Sequence, residues 1–179
     1  MCGTLLSSAP SQKQGHRRYR EAPASELSSA GNYRSTGRVV KLRSAAAESF
    51  RAMVAAASAE GVRLIPISGF RTVAYQKVLF RRACRRYGSE KKAARWVAPP
   101  GHSEHHTGWS LDLGEESSPE TDVDASFENT RAFRWLEENA SRFGFELSFS
   151  KDNPQGIGYE PWHWRYVGAE APKKLFSTP

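Results

Sequence analysis

The sequence has little cysteine and no long apolar segment. Its 179 residues include two cysteines, Cys2 and Cys84, which are too few for a disulfide framework. One lies at the amino terminus and the other in a basic stretch, so we do not expect them to pair. No apolar run reaches the length of about 18 residues that suggests a membrane-spanning helix, so we predict no membrane span. A chain of this length can still bury a hydrophobic core without cross-links.

The beginning of the chain lacks regular hydrophobic periodicity. It is rich in Ser, Gly, Pro and Arg, and we predict a partly disordered basic arm over residues 1–37 and one folded domain over residues 38–179. The start, MCGTLLSSAP, lacks the charged and apolar segments of a secretory signal. That start predicts either a cytoplasmic chain or a trimmed form of an exported one. We interpret His16, within the arm, as a surface residue rather than a metal ligand.

Positive charge exceeds negative charge, with a formal net charge of +7. Lysine and arginine cluster at residues 13–43 and again at residues 77–95. A basic surface can bind nucleic acid, or it can be attracted to an anionic cell wall or membrane. Because no nucleic-acid-binding motif accompanies the clusters, we predict no nucleic-acid partner and interpret them as solvated surface.

Histidine is scarce as well, yet three of the five histidines fall in one segment, PPGHSEHHTGWSLD at residues 99–112. A fourth, His163, follows a glutamate by three residues in the segment EPWHWR. Two histidines and a carboxylate suit zinc, and catalytic zinc takes three protein ligands and leaves its fourth position to water. We therefore predict that the zinc ligands are His105, Asp112 and His163, and that the general base is Glu160.

The choice of His105 over its neighbour depends on geometry. Adjacent side chains of an extended segment point to opposite faces, so His105 and His106 should not bind the same ion. Gly108 permits a sharp turn, and the alternation that follows in residues 109–112 predicts a half-buried strand with Asp112 facing the site. Structural zinc usually has four protein ligands, often cysteines. Neither cysteine lies near this segment, so we predict an open, catalytic site.

The remaining patterns predict short strands interspersed with helices. We expect helices at residues 45–60, 73–87, 89–97 and 127–143, with the first, second and fourth capped by Ser44, Thr72 and Ser126. We expect strands at residues 62–67, 109–112, 145–149 and 159–167, and an acidic surface loop at residues 115–127. This order predicts an α+β fold with a small, mainly antiparallel sheet flanked by helices.

Three segments carry a resemblance to a known family. SGFRTVAYQ (residues 68–76), SEHHTGWSLD (residues 103–112) and EPWHWR (residues 160–165) resemble the signature blocks of VanY-type zinc D-alanyl-D-alanine carboxypeptidases. That family groups with D-Ala-D-Ala dipeptidases, phage endolysin peptidases and the hedgehog domain. The resemblance implies an antiparallel sheet with a zinc cleft over it and one zinc per chain. It also implies removal of the C-terminal D-alanine from peptidoglycan stem peptides that end in D-Ala-D-Ala.

The resemblance also implies roles for single residues. Glu160 would be the catalytic base, and Arg71 would stabilise the oxyanion or bind substrate. Ser103 and Gln76 would bind substrate, although Gln76 is equally interpreted as an exposed helix amide. Two alternatives stay open: a D-Ala-D-Ala dipeptidase or cell-wall endopeptidase, and a non-catalytic zinc module that recognises cell-wall peptides. We further expect a monomer in the cell envelope or periplasm, with a cytoplasmic location as the alternative.

Overall fold

Short strands alternate with helices in the computed structural model, which describes residues 12–177. The strands are β1 (Gln12–Lys13), β2 (His16–Arg17), β3 (Leu27–Asn32), β4 (Val39–Arg43), β5 (Leu64–Ser68), β6 (Ser110–Glu115), β7 (Phe145–Leu147) and β8 (His163–Tyr166). The α-helices are α1 (Ser44–Ala59), α2 (Val73–Tyr87), α3 (Glu90–Ala93), α4 (Arg131–Asn139) and α5 (Glu170–Ser177). None of the helices described is long and apolar enough to cross a membrane.

The central sheet has four strands in the order β5-β6-β8-β7, and all its pairs are antiparallel. Its centre is the β6–β8 pair, where Leu111 faces Trp164 and Asp112 faces His163. Leu111 and Trp164 are buried in the hydrophobic core. Since successive residues of a strand point to opposite faces, Asp112 and His163 lie on the other face of the sheet. The predicted α+β fold with a small antiparallel sheet is confirmed.

The hydrophobic core lies between the central sheet and helices α1 and α4. The apolar face of α1 contributes five fully buried residues, which are Ala46, Ala47, Phe50, Met53 and Ala57. Phe50 packs edge-to-face on Phe145 of β7, with ring centroids 6.5 Å apart. The tryptophans Trp162 and Trp164 also belong to this core. The core therefore covers one face of the sheet, while polar side chains lie on the other.

A separate two-stranded sheet pairs β3 with β4. This hairpin crosses the predicted boundary between residues 37 and 38. The segment before it also packs on the rest of the chain, because the amides of Tyr19 and Ala22 donate to the carbonyls of Gly101 and His106 at 2.8 and 2.7 Å. Residues 12–37 thus contribute regular structure. Only residues 1–11 of the predicted arm, with the sequence MCGTLLSSAP and Cys2, lie outside the described range.

His16 is not the surface residue that we predicted. Its side chain is 5% exposed, and Nε2 lies 2.7 Å from the carbonyl oxygen of Ala94. Burial lowers the pKa of His16, although the hydrogen bond to Ala94 opposes this shift. The sequence context, HRRYR, consists of polar residues and does not reveal that the chain folds back over α3 at this point.

The helix ends agree only partly with prediction. Thr72 does cap α2, since its hydroxyl accepts from the amide of Tyr75 at 3.1 Å, and Gly88 ends the helix with φ of +80°. Ser44 does not cap α1, because Ser44 is itself the first helical residue and its hydroxyl lies 2.8 Å from that of Ser28. The predicted strand at residues 159–167 is shortened to β8, since Pro161 lacks an amide donor.

The helix predicted at residues 127–143 is wrong in its bounds. A 3₁₀ helix at Ala125–Asn129 comes first and is capped by Asp124 rather than by Ser126. Thr130 then caps α4 by accepting from the amide of Phe133 at 3.1 Å, and a further 3₁₀ turn at Ala140–Phe143 follows. The predicted surface loop is also too long, because Glu115 is the buried last residue of β6 and its carboxylate accepts from the amide of Ala132.

We expect Phe50→Ala to destabilise the protein by about 3–5 kcal/mol, the range for truncating a buried aromatic side chain. Phe50 is 1% exposed and contacts the central sheet through Phe145. Urea denaturation followed by circular dichroism measures the change. The control is Val78→Ala on α2, where the side chain is 44% exposed and the expected change is within about 0.5 kcal/mol. Equal stability of the two variants would contradict this description of the core.

Candidate metal centre

Two of the predicted ligands come from neighbouring strands of the central sheet. Asp112 of β6 and His163 of β8 are direct cross-strand partners, so their side chains project from the same face. His163 Nδ1 lies 3.1 Å from Asp112 Oδ1. Both residues are at most 3% exposed. The sheet register therefore places one imidazole nitrogen and one carboxylate oxygen side by side.

The third predicted ligand, His105, comes from a 3₁₀ helix at Glu104–Thr107 that precedes β6. The hydroxyl of Ser103 caps this helix by accepting from the amide of His105 at 3.3 Å, and Gly108 ends it with φ of +69°. His105 Nδ1 is 2.8 Å from the carbonyl oxygen of Gly69. That contact leaves Nε2 free to face Asp112 Oδ1, which is 3.2 Å away.

Gly69 must be a glycine for this contact to form. A Cβ atom at that position would lie 2.4 Å from the backbone oxygen of Lys41 and 2.9 Å from Cγ1 of Val40. The absence of a side chain lets the backbone of Gly69 lie against β4, in the position from which its carbonyl contacts the imidazole of His105. This explains the Ser-Gly pair at the end of β5 in physical terms.

His106 is held by the backbone on both sides of its ring. Its Nδ1 lies 2.7 Å from the carbonyl oxygen of Arg71, and its Nε2 accepts from the amide of Gly101 at 3.1 Å. The two histidines diverge because they follow each other on a 3₁₀ turn, not on the extended segment that the sequence predicts. Neither ring nitrogen of His106 remains for a metal ion.

The donor set fits zinc. One atom each from His105, Asp112 and His163 lies within 4.8 Å of the others, and all three residues are buried. Ligands at about 2.0–2.2 Å from a tetrahedral ion are separated from one another by about 3.4 Å, close to the two contacts of Asp112 Oδ1. Two imidazoles and one carboxylate, without a cysteine, match the ligand set of catalytic zinc.

The charges of this cluster are strongly coupled. Burial and the nearby Arg71 guanidinium lower the pKa of His105 to about 4, although Asp112 opposes this shift. Burial disfavours the ionised form of Asp112, but its contacts with His105, Arg71 and His163 hold its pKa well below the ordinary value. His105 is thus neutral and Asp112 ionised, the forms that bind metal. Burial alone would lower the pKa of His163, but its contacts with Asp112 and Glu104 raise it to about 10, so a metal ion would displace a proton from this ring.

Arg71 reaches the cluster from the end of β5. Its Nε donates to the hydroxyl of Ser68 at 2.9 Å, and its Nη2 forms an ion pair with Asp112 Oδ2. Arg71 therefore binds the carboxylate oxygen that does not face the histidines. The side chain of Arg71 is 18% exposed and lines the cleft. It can therefore orient Asp112 and contact a bound ligand at the same time.

Glu160 lies beside the cluster without joining it. It is 8% exposed, and its Oε2 is 3.9 Å from His163 Nδ1. Burial raises the pKa of Glu160 to about 8, and the negative charge of Asp112 adds to this effect while His163 opposes it. A cation bound next to it would lower this pKa again. Glu160 is thus placed to exchange a proton near the metal position.

Glu104 is a residue of this site that the sequence patterns did not single out. Its Oε2 accepts from His163 Nε2 at 3.0 Å and from the hydroxyl of Ser148 at 2.7 Å, while Oε1 accepts from Arg165 Nη1 at 3.0 Å. Burial alone would raise the pKa of Glu104, but His163 and Arg165 hold it well below the ordinary value. A carboxylate on the far nitrogen of a ligand histidine fixes the ring and its tautomer.

One feature of the sequence could have indicated that Glu104 belongs to the site. It is an acidic residue directly before a predicted ligand, His105, in a segment that is otherwise polar and small. The pairing with His163, 59 residues further on, arises only from the tertiary fold. For this reason spacing in the sequence did not reveal it.

Gln76 is not the exposed helix amide of our alternative interpretation. It is 1% exposed, and its Nε2 donates to the carbonyl of Ala98 at 2.8 Å. Within residues 12–177, its Oε1 is buried without a hydrogen-bond partner. A buried, unused acceptor at a cleft wall is available to a ligand N–H group.

One cleft of about 420 Å³ contains all of the predicted site residues. Its walls include the seven predicted residues Arg71, Gln76, Ser103, His105, Asp112, Glu160 and His163, together with Glu104. Clefts of this size, with a few convergent polar groups, are typical of binding sites. A buried three-donor cluster in such a cleft, beside a carboxylate of raised pKa, defines the class of mononuclear metallohydrolase sites.

The family can then be identified. The family described as VanY: D-alanyl-D-alanine carboxypeptidase matches residues 39–169, and the chain belongs to this family. It is 37% identical to the putative carboxypeptidase YodJ of Bacillus subtilis over 136 residues, covering 75% of this chain and 49% of that protein. It is 35% identical over 131 residues to a D-alanyl-D-alanine carboxypeptidase of Enterococcus faecalis, covering 68% and 46%. The chain thus spans about half the length of these curated relatives.

Solved structures show the same fold. The LdcB LD-carboxypeptidase aligns with a TM-score of 0.74 and 32% identity over 88% of this chain and 74% of that one. A variant of the vancomycin-resistance D,D-pentapeptidase VanY in complex with Zn(II) aligns with a TM-score of 0.65 and 29% identity, covering 88% and 89%. VanYB in complex with D-alanine-D-alanine gives a TM-score of 0.66 and 30% identity, covering 87% and 86%.

We expect Glu104→Gln to weaken zinc binding about 10- to 100-fold, the range for loss of a carboxylate that orients a ligand histidine. Competition with a chromophoric chelator measures the dissociation constant. The matched control is Glu146→Gln, because Glu146 pairs with the same Arg165 at 2.7 Å but is 45% exposed and makes no contact with His163. Unchanged zinc affinity in Glu104→Gln, with the control also unchanged, would remove Glu104 from the metal centre.

Proposed function

We propose that the chain is a zinc-dependent carboxypeptidase that releases the C-terminal D-alanine from peptides ending in D-Ala-D-Ala, with peptidoglycan stem peptides as the substrate class. The observation that carries this proposal is the open three-donor cluster of His105, Asp112 and His163 next to the buried Glu160. Three protein ligands leave one position for the reaction. The VanYB structure with D-alanine-D-alanine supports the substrate class.

The residues around the cluster have separate roles in this proposal. One zinc ion per chain, held by the three ligands, would polarise the scissile carbonyl and acidify water. Glu160 accepts the proton of the attacking water and gives it to the nitrogen of the leaving D-alanine. Its carboxyl is suited to carry a proton because burial disfavours its charged form.

Substrate contacts come from three further residues. Arg71 presents a cation at the metal position, where it stabilises the developing oxyanion or binds the terminal carboxylate. Gln76 offers its unpaired Oε1 to a peptide N–H. The hydroxyl of Ser103 already accepts from the amide of His105, so its role at the substrate is that of a donor. The position of all three residues in one cleft supports these roles.

A second candidate reaction is favoured by comparison with solved structures. LdcB, with the TM-score of 0.74, is an LD-carboxypeptidase. Such an enzyme also releases a terminal D-alanine, but from a bond that follows an L-configured centre, so the two reactions differ in the residue before the scissile bond. The dipeptidase, endopeptidase and non-catalytic alternatives differ in other ways. A dipeptidase must hold a free amino terminus, an endopeptidase must accept a longer leaving group, and a recognition module does not need Glu160.

The remaining expectations are proposals of the same kind. We propose the cell envelope or periplasm because the proposed substrate lies in the cell wall, and a monomer because all the predicted site residues come from one chain. The division into an arm at residues 1–37 and a peptidase domain at residues 38–179 also stays a prediction. We propose no nucleic-acid partner, since the basic clusters lack a nucleic-acid-binding motif.

The central experiment is release of free D-alanine from synthetic acyl peptides, measured with and without zinc. We expect hydrolysis of a peptide ending in D-Ala-D-Ala, loss of activity after thorough chelation, and recovery on adding one equivalent of zinc per chain. A peptide ending in L-Lys-D-Ala tests the LD reaction, and free D-Ala-D-Ala tests the dipeptidase. Full activity after chelation would contradict the zinc mechanism. Faster hydrolysis of the L-Lys-D-Ala peptide would replace the D,D reaction with the L,D one.

We expect Glu160→Gln to lower kcat by roughly 10²–10⁴-fold, the contribution of a positioned general base. The amide keeps the shape of the side chain, and none of the three predicted ligands is changed, so zinc content should stay at one per chain. The assay pairs D-alanine release with metal analysis of the same sample. Unchanged turnover would exclude Glu160 as the base, and loss of zinc would make it a ligand.

A further inference from the structure

The wall of the same cleft carries cations that the proposed reaction does not use. One side of α2 lines the cleft, and its lining residues recur at helical spacing as Tyr75, Leu79, Arg82 and Arg86. Arg82 and Arg86 are exposed. Their neighbours Arg81 and Arg85 are exposed as well but do not line the cleft. The helix therefore directs one pair of arginines to the cleft and another pair elsewhere.

The cleft-lining pair has no acidic partner within residues 12–177. No carboxylate of that range forms an ion pair with Arg82 or Arg86, and residues 1–11 contain no Asp or Glu. The carboxylates that line the cleft all belong to the metal centre, namely Glu104, Asp112 and Glu160. Like charges four residues apart on a helix repel each other. An anionic ligand would relieve this repulsion.

One aromatic contact lies at Arg86. The guanidinium carbon of Arg86 is 5.5 Å from the ring centroid of Tyr87, which also lines the cleft. A planar guanidinium presents two parallel N–H groups to a carboxylate. Two guanidinium groups one helical turn apart can therefore bind a carboxylate on a flexible peptide.

The position along α2 indicates which part of a peptide reaches the arginines. With a rise of about 1.5 Å per residue, Arg82 lies about 9 Å and Arg86 about 15 Å beyond Gln76 along the helix. An extended peptide spans at most about 3.6 Å per residue. A single leaving D-alanine is too short for that distance, so the group that reaches the arginines belongs to the part of the substrate before the scissile bond.

We propose that Arg82 and Arg86 form a subsite for a carboxylate on the amino-terminal part of the peptide substrate, so that the enzyme selects acidic peptides. The subsite rests on the proposed carboxypeptidase function, because it assumes that a peptide lies in the cleft with its C-terminal bond at the metal centre. It adds a substrate requirement that the metal centre itself does not impose.

The test uses matched acyl peptides ending in D-Ala-D-Ala that carry either Glu or Gln at two, three or four residues before the scissile bond. We expect the wild type to hydrolyse at least one Glu peptide with a kcat/KM about 3- to 30-fold above that of its Gln partner, the range for one or two exposed ion pairs. In the double variant R82Q/R86Q this ratio should fall to about one. Added salt should reduce the ratio in the wild type, because exposed charges are screened.

The matched control is R81Q/R85Q, which removes the same charge from the same helix outside the cleft. It should keep both the wild-type ratio and the wild-type rate. Equal kcat/KM for every Glu and Gln pair in the wild type would overturn the subsite. An equal loss of the ratio in both double variants would overturn it too, because the preference would then arise from net charge. If the wild type hydrolyses neither peptide, the proposed carboxypeptidase function fails, whereas hydrolysis without preference overturns the subsite alone.

Discussion

The cross-strand pairing of Asp112 with His163 is the constraint on which the rest of the site depends. Side chains alternate between faces along a strand, so a slip of one residue would turn Asp112 into the core and bring Leu111 or Leu113 to the cleft. The core prevents this slip, because Leu111, Leu113 and Trp164 fill one face of the sheet. The apolar pattern of β6 and β8 thus fixes the metal donors, although it contributes no donor itself.

Charge compensation keeps this polar face stable inside the protein. Asp112 is shared by His105, His163 and Arg71, and Glu104 is shared by His163 and Arg165. Removing one partner of a buried ion pair costs about 3–5 kcal/mol, since the other charge remains buried and unpaired. The same contacts set the orientation of each ring, because the outer nitrogens of His105 and His163 bind the carbonyl of Gly69 and the carboxylate of Glu104. Stability and metal geometry therefore depend on the same hydrogen bonds.

Local features could be predicted from the sequence, and features created by distant segments could not. The donor residues were recognisable because a histidine, a carboxylate and a second histidine occur beside glycine and proline turns, and Thr72 was recognisable as a cap. The cap of α4 was misplaced because Ser126, Asp124 and Thr130 all suit the role, and only the packing of Phe127 and Phe133 decides between them. His16, Glu104 and the cleft-lining arginines depend on contacts or surfaces formed by segments far apart in the chain. Hydrophobic periodicity in the sequence does not reveal such contacts.

The central claim is that three side chains of this chain hold one metal ion while Glu160 stays free beside it. A crystal structure of the zinc-loaded protein with anomalous data at the zinc edge tests this directly. The account predicts one anomalous peak per chain, at about 2.0–2.2 Å from His105 Nε2, an oxygen of Asp112 and His163 Nδ1, with Glu160 outside the coordination shell. A peak bonded to Glu160 or Glu104, or no peak within the cleft, would contradict it.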